Sequence, residues 1–275
     1  MSLVSATELR RRVDAGDAAL RICDVRWYLG KPGAGRAAWT AGHIPGAVFV
    51  DLDLDLAGRD GPGRHPLPSP AVFADRLGQL GIGSEHDVVC YDDLGGAIAA
   101  RLWWMLDNLG HGSVAVLDGG LRAWTEAGGE LTTDAPAYPP ADLRLASEWS
   151  RVIDREAVKE RLRSIVLLDA RAGERYRGEV EPADPVAGHI PTARSAPSSA
   201  NLGPNGRFRE PAELRERYGS LGCADADVVA SCGSGVTACH TALAMRVAGL
   251  PDPVLYPGSF SDWSRAGETV ETGAT

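Results

Sequence analysis

Short apolar runs closed by Gly, Pro or Asp alternate along this chain with stretches whose apolar residues recur at helical spacing. That is the pattern of strands followed by helices. Residues 3–20 predict a short helix, with Ser5 as N-cap and Glu8 three positions on, as in a capping box. Residues 20–25 read as a buried strand, and Val48-Phe49-Val50 as another that ends in Asp51-Leu52-Asp53. Residues 57–70 are rich in Gly and Pro and read as loop, with Ser69 capping a helix over 71–80. Val88 to Tyr91 is a strand, Asp92 to Gly96 a loop and Ala97 to Leu109 a helix. Val114 to Leu117 is a further strand, followed by Asp118-Gly119-Gly120 and a short helix to Trp124.

The order then starts again. Val166 to Asp169 matches Ile22-Cys23-Asp24, and Gly188-His189-Ile190-Pro191 matches Gly42-His43-Ile44-Pro45. Val228-Val229 matches Val88-Val89, and Tyr256 to Trp263 matches Leu117 to Trp124. Features recurring after about 140 residues indicate duplication of a whole domain rather than a solenoid. Strand–helix alternation in each half predicts an α/β fold, a mostly parallel sheet flanked by helices. The expected division is a domain over 1–130, a linker over 131–150 that contains Pro136, Pro139 and Pro140, and a second domain over 151–275. His43 and His189 recur in both halves, which favours a structural role for each.

Composition narrows the function. The 275 residues carry a net charge of -9 with scattered arginines, so a nucleic-acid partner is not expected. No apolar run approaches a membrane span, and the first residues show no secretory signal. Five cysteines without a C-x-x-C pair match neither a disulfide framework nor a zinc site. A cytoplasmic, reduced protein with no metal and no organic cofactor is expected.

The chemistry concentrates at Cys232. The run Val228 to Ser231 ends in Cys232-Gly233-Ser234-Gly235-Val236-Thr237, and a helical pattern follows to Val247. A thiol at the head of such a loop faces backbone N–H groups and a helix start, which favour the nucleophilic thiolate. Glycines at 233 and 235 let the backbone wrap whatever the sulfur carries. Aligned on the Val-Val strand, Cys232 falls opposite Asp92, so only the second half holds the thiol. A phosphatase loop would need Arg six residues after the Cys, and that position is Ala238. Cys239, Cys23 and Cys90 read as packing residues.

The Cys232 to His240 segment, both Gly-His-Ile-Pro segments, Asp118-Gly119-Gly120 with Trp124, and Asp92 in place of a Cys together resemble the two-domain rhodanese-like sulfurtransferases over nearly the whole chain. The resemblance implies a tandem pair of rhodanese-like domains, the N-terminal copy non-catalytic and the C-terminal one forming a persulfide on Cys232. Thiosulfate enzymes of the family carry basic residues in the loop. Cys-Gly-Ser-Gly-Val-Thr looks instead like the 3-mercaptopyruvate subgroup, which implies a triad of Ser234, His65 and Asp53. Gly233, Gly235, Val236 and Thr237 would line the substrate site. Arg175, helped by Arg177, matches the subgroup's first carboxylate-binding arginine; the second is expected ahead of Gly188, where the chain has Ala183-Asp184 and no arginine between Arg177 and Gly188, leaving Arg194 as a substitute from the other side. The implied partners are a small sulfur donor and a thiol acceptor, such as thioredoxin or a low-molecular-weight thiol, or cyanide in vitro. The alternatives are a thiosulfate sulfurtransferase on the same Cys232, or a non-catalytic sulfur-carrier or interaction module.

Overall fold

A computed structural model describes residues 2–274. The chain forms two compact units: Met1–Ala57, Pro68–Ser150 and Pro204–Arg207 make the first, and Gly58–Leu67, Arg151–Gly203 and Phe208–Thr275 the second. Each unit therefore takes in a short loop from the other half of the sequence.

In the first unit the strands are β1 (Leu3–Val4), β2 (Leu20–Asp24), β3 (Ala47–Phe49), β4 (Asp87–Tyr91) and β5 (Val114–Leu117). They form one sheet in the order β1-β5-β4-β2-β3, and every pairing is parallel. All five residues of β2 are buried, as expected for a strand covered on both faces. The helices are α1 (Ala6–Asp14), α2 (Ala34–Ala41), α3 (Pro70–Gln79), α4 (Ala99–Asn108) and α5 (Gly120–Glu126). Ser5 and Ser69 cap α1 and α3, accepting from the N–H groups of Glu8 and Val72. Helix α4 is buried nearly all round, including Trp103 and Trp104, which marks a helix inside the core rather than on the surface. Residues 131–150 run along this unit. There Trp149 stacks on Trp104 at 5.8 Å between centroids, and Tyr138 donates to the Gly46 carbonyl.

The second unit repeats the plan. Its strands are β6 (Val166–Asp169), β7 (Arg194–Ser195), β8 (Val228–Ser231) and β9 (Val254–Leu255), parallel and in the order β7-β6-β8-β9. A single parallel bridge from Val152 to Leu255 stands where β1 stands in the first unit. The helices are α6 (Arg155–Arg161), α7 (Gly173–Tyr176), α8 (Pro211–Ser220), α9 (Ala238–Val247) and α10 (Ser259–Arg265). The halves agree in detail. Trp124 Nε1 donates to the Glu130 carbonyl and Trp263 Nε1 to the Thr269 carbonyl, both at 2.8 Å. Asp24 holds Arg26 as Asp169 holds Arg171, each pair buried. His43 and His189 are fully buried, stack on Trp39 and Tyr176, and bond backbone carbonyls through Nδ1, so both serve packing.

Candidate active site

The sheet register fixes which loops correspond. Asp24 pairs with Tyr91 at the end of β2–β4, and Asp169 pairs with Ser231 at the end of β6–β8. Asp92 and Cys232 thus occupy the same place, one step beyond the strand. In the first unit the Asp92 carboxylate accepts the backbone N–H groups of Leu94, Gly96, Ile98 and Ala99 at 2.7–2.9 Å. The fold therefore turns a ring of amides toward whatever stands at this position. In the second unit the corresponding residues are Ser234, Val236, Ala238 and Cys239.

Cys232 is buried, with 2 % of its surface exposed. Its N–H donates to Ser259 Oγ at 3.0 Å, and its carbonyl accepts the Phe260 N–H. Ser259 holds a left-handed conformation, φ 51°, at the start of α10. A non-glycine residue there costs about 1–3 kcal/mol, so the packing around the loop must overdetermine it. Gly235 has φ 75°, and a Cβ on it would come 2.5 Å from the Pro257 carbonyl oxygen. Only glycine fits that turn. Val236 is buried, and Thr237 leads into α9, whose N-terminal half is wholly enclosed.

Ser234 faces His65. Its Oγ lies 2.7 Å from His65 Nδ1, across 169 positions of sequence, and both residues are buried. His65 belongs to the 58–67 loop, which packs as part of the second unit. The loop closes on itself through the Gly58 N–H and the Pro66 carbonyl. The Arg64 N–H pins it to Ser261 Oγ at 3.0 Å. Gly63, at φ 82°, lets its backbone pass so close to Gly258 that a Cβ would sit 2.7 Å from that carbonyl oxygen.

Charged groups alternate beside the loop. Asp169 holds Arg171, Arg171 also reaches Glu181 at 3.3 Å, Glu181 holds Arg175 at 2.7 Å, Arg175 reaches Asp184 at 3.5 Å, and Asp184 pairs with Arg64. Burial opposes the charge on Arg171, but Asp169, Glu181 and the Cys232 sulfur outweigh it and hold its pKa above the ordinary guanidinium value. Glu181 also accepts the N–H groups of Ala183 and Asp184, which fixes the turn that carries Asp184.

Of the residues expected from sequence, the second unit brings together Cys232, Gly233, Ser234, Gly235, Val236, Thr237, His65 and Arg175. Arg175 comes to Gly233, where a Cβ would lie 3.4 Å from its Nη1. Arg177 pairs instead with Glu179 at the exposed surface, at 2.7 Å. Asp53 lies in the first unit, where its Oδ2 accepts the Trp27 indole N–H at 3.0 Å. Sequence reasoning missed Arg64, whose Nη2 would lie 2.9 Å from a Cβ on Gly233. Its only sequence signal was its place beside His65. Among the described residues no cluster of His, Cys, Asp and Glu is arranged to hold a metal ion, and no helix is long and apolar enough to cross a membrane.

A model of the rhodanese-like domain matches the chain twice, over residues 5–127 and 154–266. The chain belongs to the rhodanese family. A Pseudomonas aeruginosa protein named as a probable 3-mercaptopyruvate sulfurtransferase is 46% identical over 269 residues, covering 95% of this chain and 94% of the relative. The bovine thiosulfate sulfurtransferase is 36% identical over 272 residues, covering 95% of this chain and 91% of the relative. Among solved structures, SseA from Escherichia coli, a 3-mercaptopyruvate sulfotransferase, superposes with a TM-score of 0.83 at 31% identity, covering 95% of this chain and all of that one. Both of this rhodanese chain's repeats thus match the domain model, while only the second has a thiol at the head of its loop.

Proposed function

We propose that this chain is a sulfurtransferase that takes the sulfur of 3-mercaptopyruvate onto Cys232 and passes it to a thiol. The observation that carries this reading is the 2.7 Å pairing of Ser234 Oγ with His65 Nδ1, two residues from the thiol, in a loop without a basic side chain of its own. A hydroxyl–imidazole pair has work to do when a carbon leaving group needs a proton; thiosulfate releases sulfite, which does not.

The Cys232 thiolate attacks the donor's sulfur. The new S–S bond forms as the C–S bond breaks, its electron pair leaving on the pyruvate enolate. A proton relayed through Ser234 and His65 converts the enolate to pyruvate. Asp53 would orient the imidazole, as carboxylates do in other hydroxyl–imidazole sets. The loop amides stabilise charge on the persulfide, as their counterparts stabilise Asp92. Arg175 pairs with the donor's carboxylate, for which a guanidinium fork is suited. An acceptor thiolate, from thioredoxin or a small thiol, then takes the outer sulfur and restores the Cys232 thiolate. A cytoplasmic setting would supply such reduced acceptors.

The competing reading is a thiosulfate sulfurtransferase, supported by the bovine relative. Steady-state kcat/KM for the two donors, with cyanide as common acceptor, decides between them. A higher value for 3-mercaptopyruvate is expected, and a higher value for thiosulfate would reverse the assignment. Intact-mass measurement after incubation with donor should show one added sulfur atom; none on the wild-type protein would return the chain to a carrier or interaction role.

A further inference from the structure

We propose that Arg64, locked to Asp184, is the second guanidinium of the donor site, and that the Asp184 carboxylate sets a preference for a singly charged donor over a doubly charged one. This rests on the mercaptopyruvate reading above.

The geometry starts at Gly233, the residue after the nucleophile. A Cβ built there would lie 2.9 Å from Arg64 Nη2, and 3.4 and 3.5 Å from Nη1 and Nη2 of Arg175. Two guanidinia, one from the 58–67 loop and one from α7, therefore fill the space that a side chain at 233 would take. Positive charge that could have been carried by the loop itself is brought in from outside it. Both groups share one carboxylate. Asp184 pairs with Arg64 through Oδ1 and stands 3.5 Å from Arg175 through Oδ2, with no side-chain exposure of its own. Asp184 Oδ2 and Arg64 Nε are both buried without a hydrogen-bond partner, so the pair keeps unused bonding capacity inside the protein.

Charge balance gives the specificity. Arg64, Arg175 and Arg171 are matched by Asp184, Glu181 and Asp169, so these six side chains carry no net charge before a donor binds and leave none to spare for the Cys232 thiolate. A planar monocarboxylate can take fork-shaped hydrogen bonds from the guanidinia while adding a single negative charge. A dianion such as thiosulfate adds two to a largely buried array with no spare positive charge, and burying uncompensated charge is expensive. Arg64 thus binds the donor, and Asp184 is a positioning residue that also subtracts one positive charge from the site.

The test is steady-state kinetics of Arg64→Gln, Arg64→Lys and Asp184→Asn with both donors, alongside thermal melting. For Arg64→Gln, KM for 3-mercaptopyruvate is expected to rise about tenfold or more with kcat changed by less than about threefold, and Arg64→Lys should recover part of the loss. For Asp184→Asn, the ratio of kcat/KM for thiosulfate to that for 3-mercaptopyruvate should rise about tenfold. A wild-type KM for Arg64→Gln, equal losses in the Gln and Lys variants, or an unchanged donor ratio for Asp184→Asn would overturn the proposal while leaving the mercaptopyruvate activity standing. A wild-type protein that does not turn over 3-mercaptopyruvate would remove the functional reading and this one together.

Discussion

The loops at Asp92 and Cys232 have one geometry and two occupants. Both follow the central strand of a parallel sheet, and both lead into a helix enclosed by the core. In the first, a carboxylate accepts four backbone N–H groups and is sealed from solvent. In the second, a thiol stands at the same point, two residues from a serine that meets an imidazole. The loop is therefore a ring of N–H donors first. Chemistry depends on what surrounds it, and only the second loop has Ser234, His65 and a pair of guanidinia beside it.

The largest expected effect comes from erasing the difference at the nucleophile. Cys232→Ser should reduce sulfur transfer to background and abolish the added sulfur mass. Installing a thiol in the first loop, Asp92→Cys, in that variant should restore neither, because Leu94 replaces the serine. Recovered transfer would mean that the ring of donors alone is enough. Next, Ser234→Ala and His65→Ala should each lower kcat with 3-mercaptopyruvate by about 100-fold or more, the usual size of an acid–base contribution. If they act as one relay, the double variant should lose little beyond either single one.

A stability effect comes third. Asp92→Ala removes the acceptor of four buried N–H groups and should lower the unfolding free energy by about 2–4 kcal/mol in urea, water entering the space limiting the loss. Persulfide formation by the folded variant should remain. The smallest effect is the pH dependence of that penalty. Burial raises the pKa of Asp92, against the pull of the amides at Ala99, Gly96, Ile98 and Leu94. The folded chain then binds the proton more tightly than the unfolded one. The penalty should be greatest in acid and shrink as pH rises from the ordinary carboxylate range through the folded value, by at most about 1.4 kcal/mol per pH unit. A penalty that grows with pH would mean the amides outweigh burial.

The duplication was legible because its markers are local. Strand-end Asp24 and Asp169, the buried histidines and the capping Ser5 and Ser69 follow from neighbours in sequence. Predicted ends moved where short elements settled on their caps: the helix expected over Ala97 to Leu109 runs Ala99–Asn108, its first turn given up to the N–H groups that face Asp92. The pairing of Ser234 with His65 was reached through family resemblance, since nothing in the Gly- and Pro-rich 58–67 stretch has a period to read. Arg64 escaped for the same reason. Its partners Asp184 and Ser261 lie 120 and 197 positions away, and an arginine in a polar loop looks like any solvated charge. Sequence places the second guanidinium ahead of Gly188, whereas the residue proposed for that role, Arg64, is delivered from the other repeat.

That delivery has an evolutionary consequence. Ten residues inherited with the first copy, Gly58–Leu67, now complete the second, while Pro204–Arg207 has gone the other way. The copies have traded parts, so a cut along the line of the original duplication would strip each of a segment that packs with it. A gene split between residues 130 and 150 would produce a fragment that has the thiol but lacks His65 and Arg64. If the proposed relay holds, trimming the chain to its second repeat should abolish sulfur transfer from 3-mercaptopyruvate.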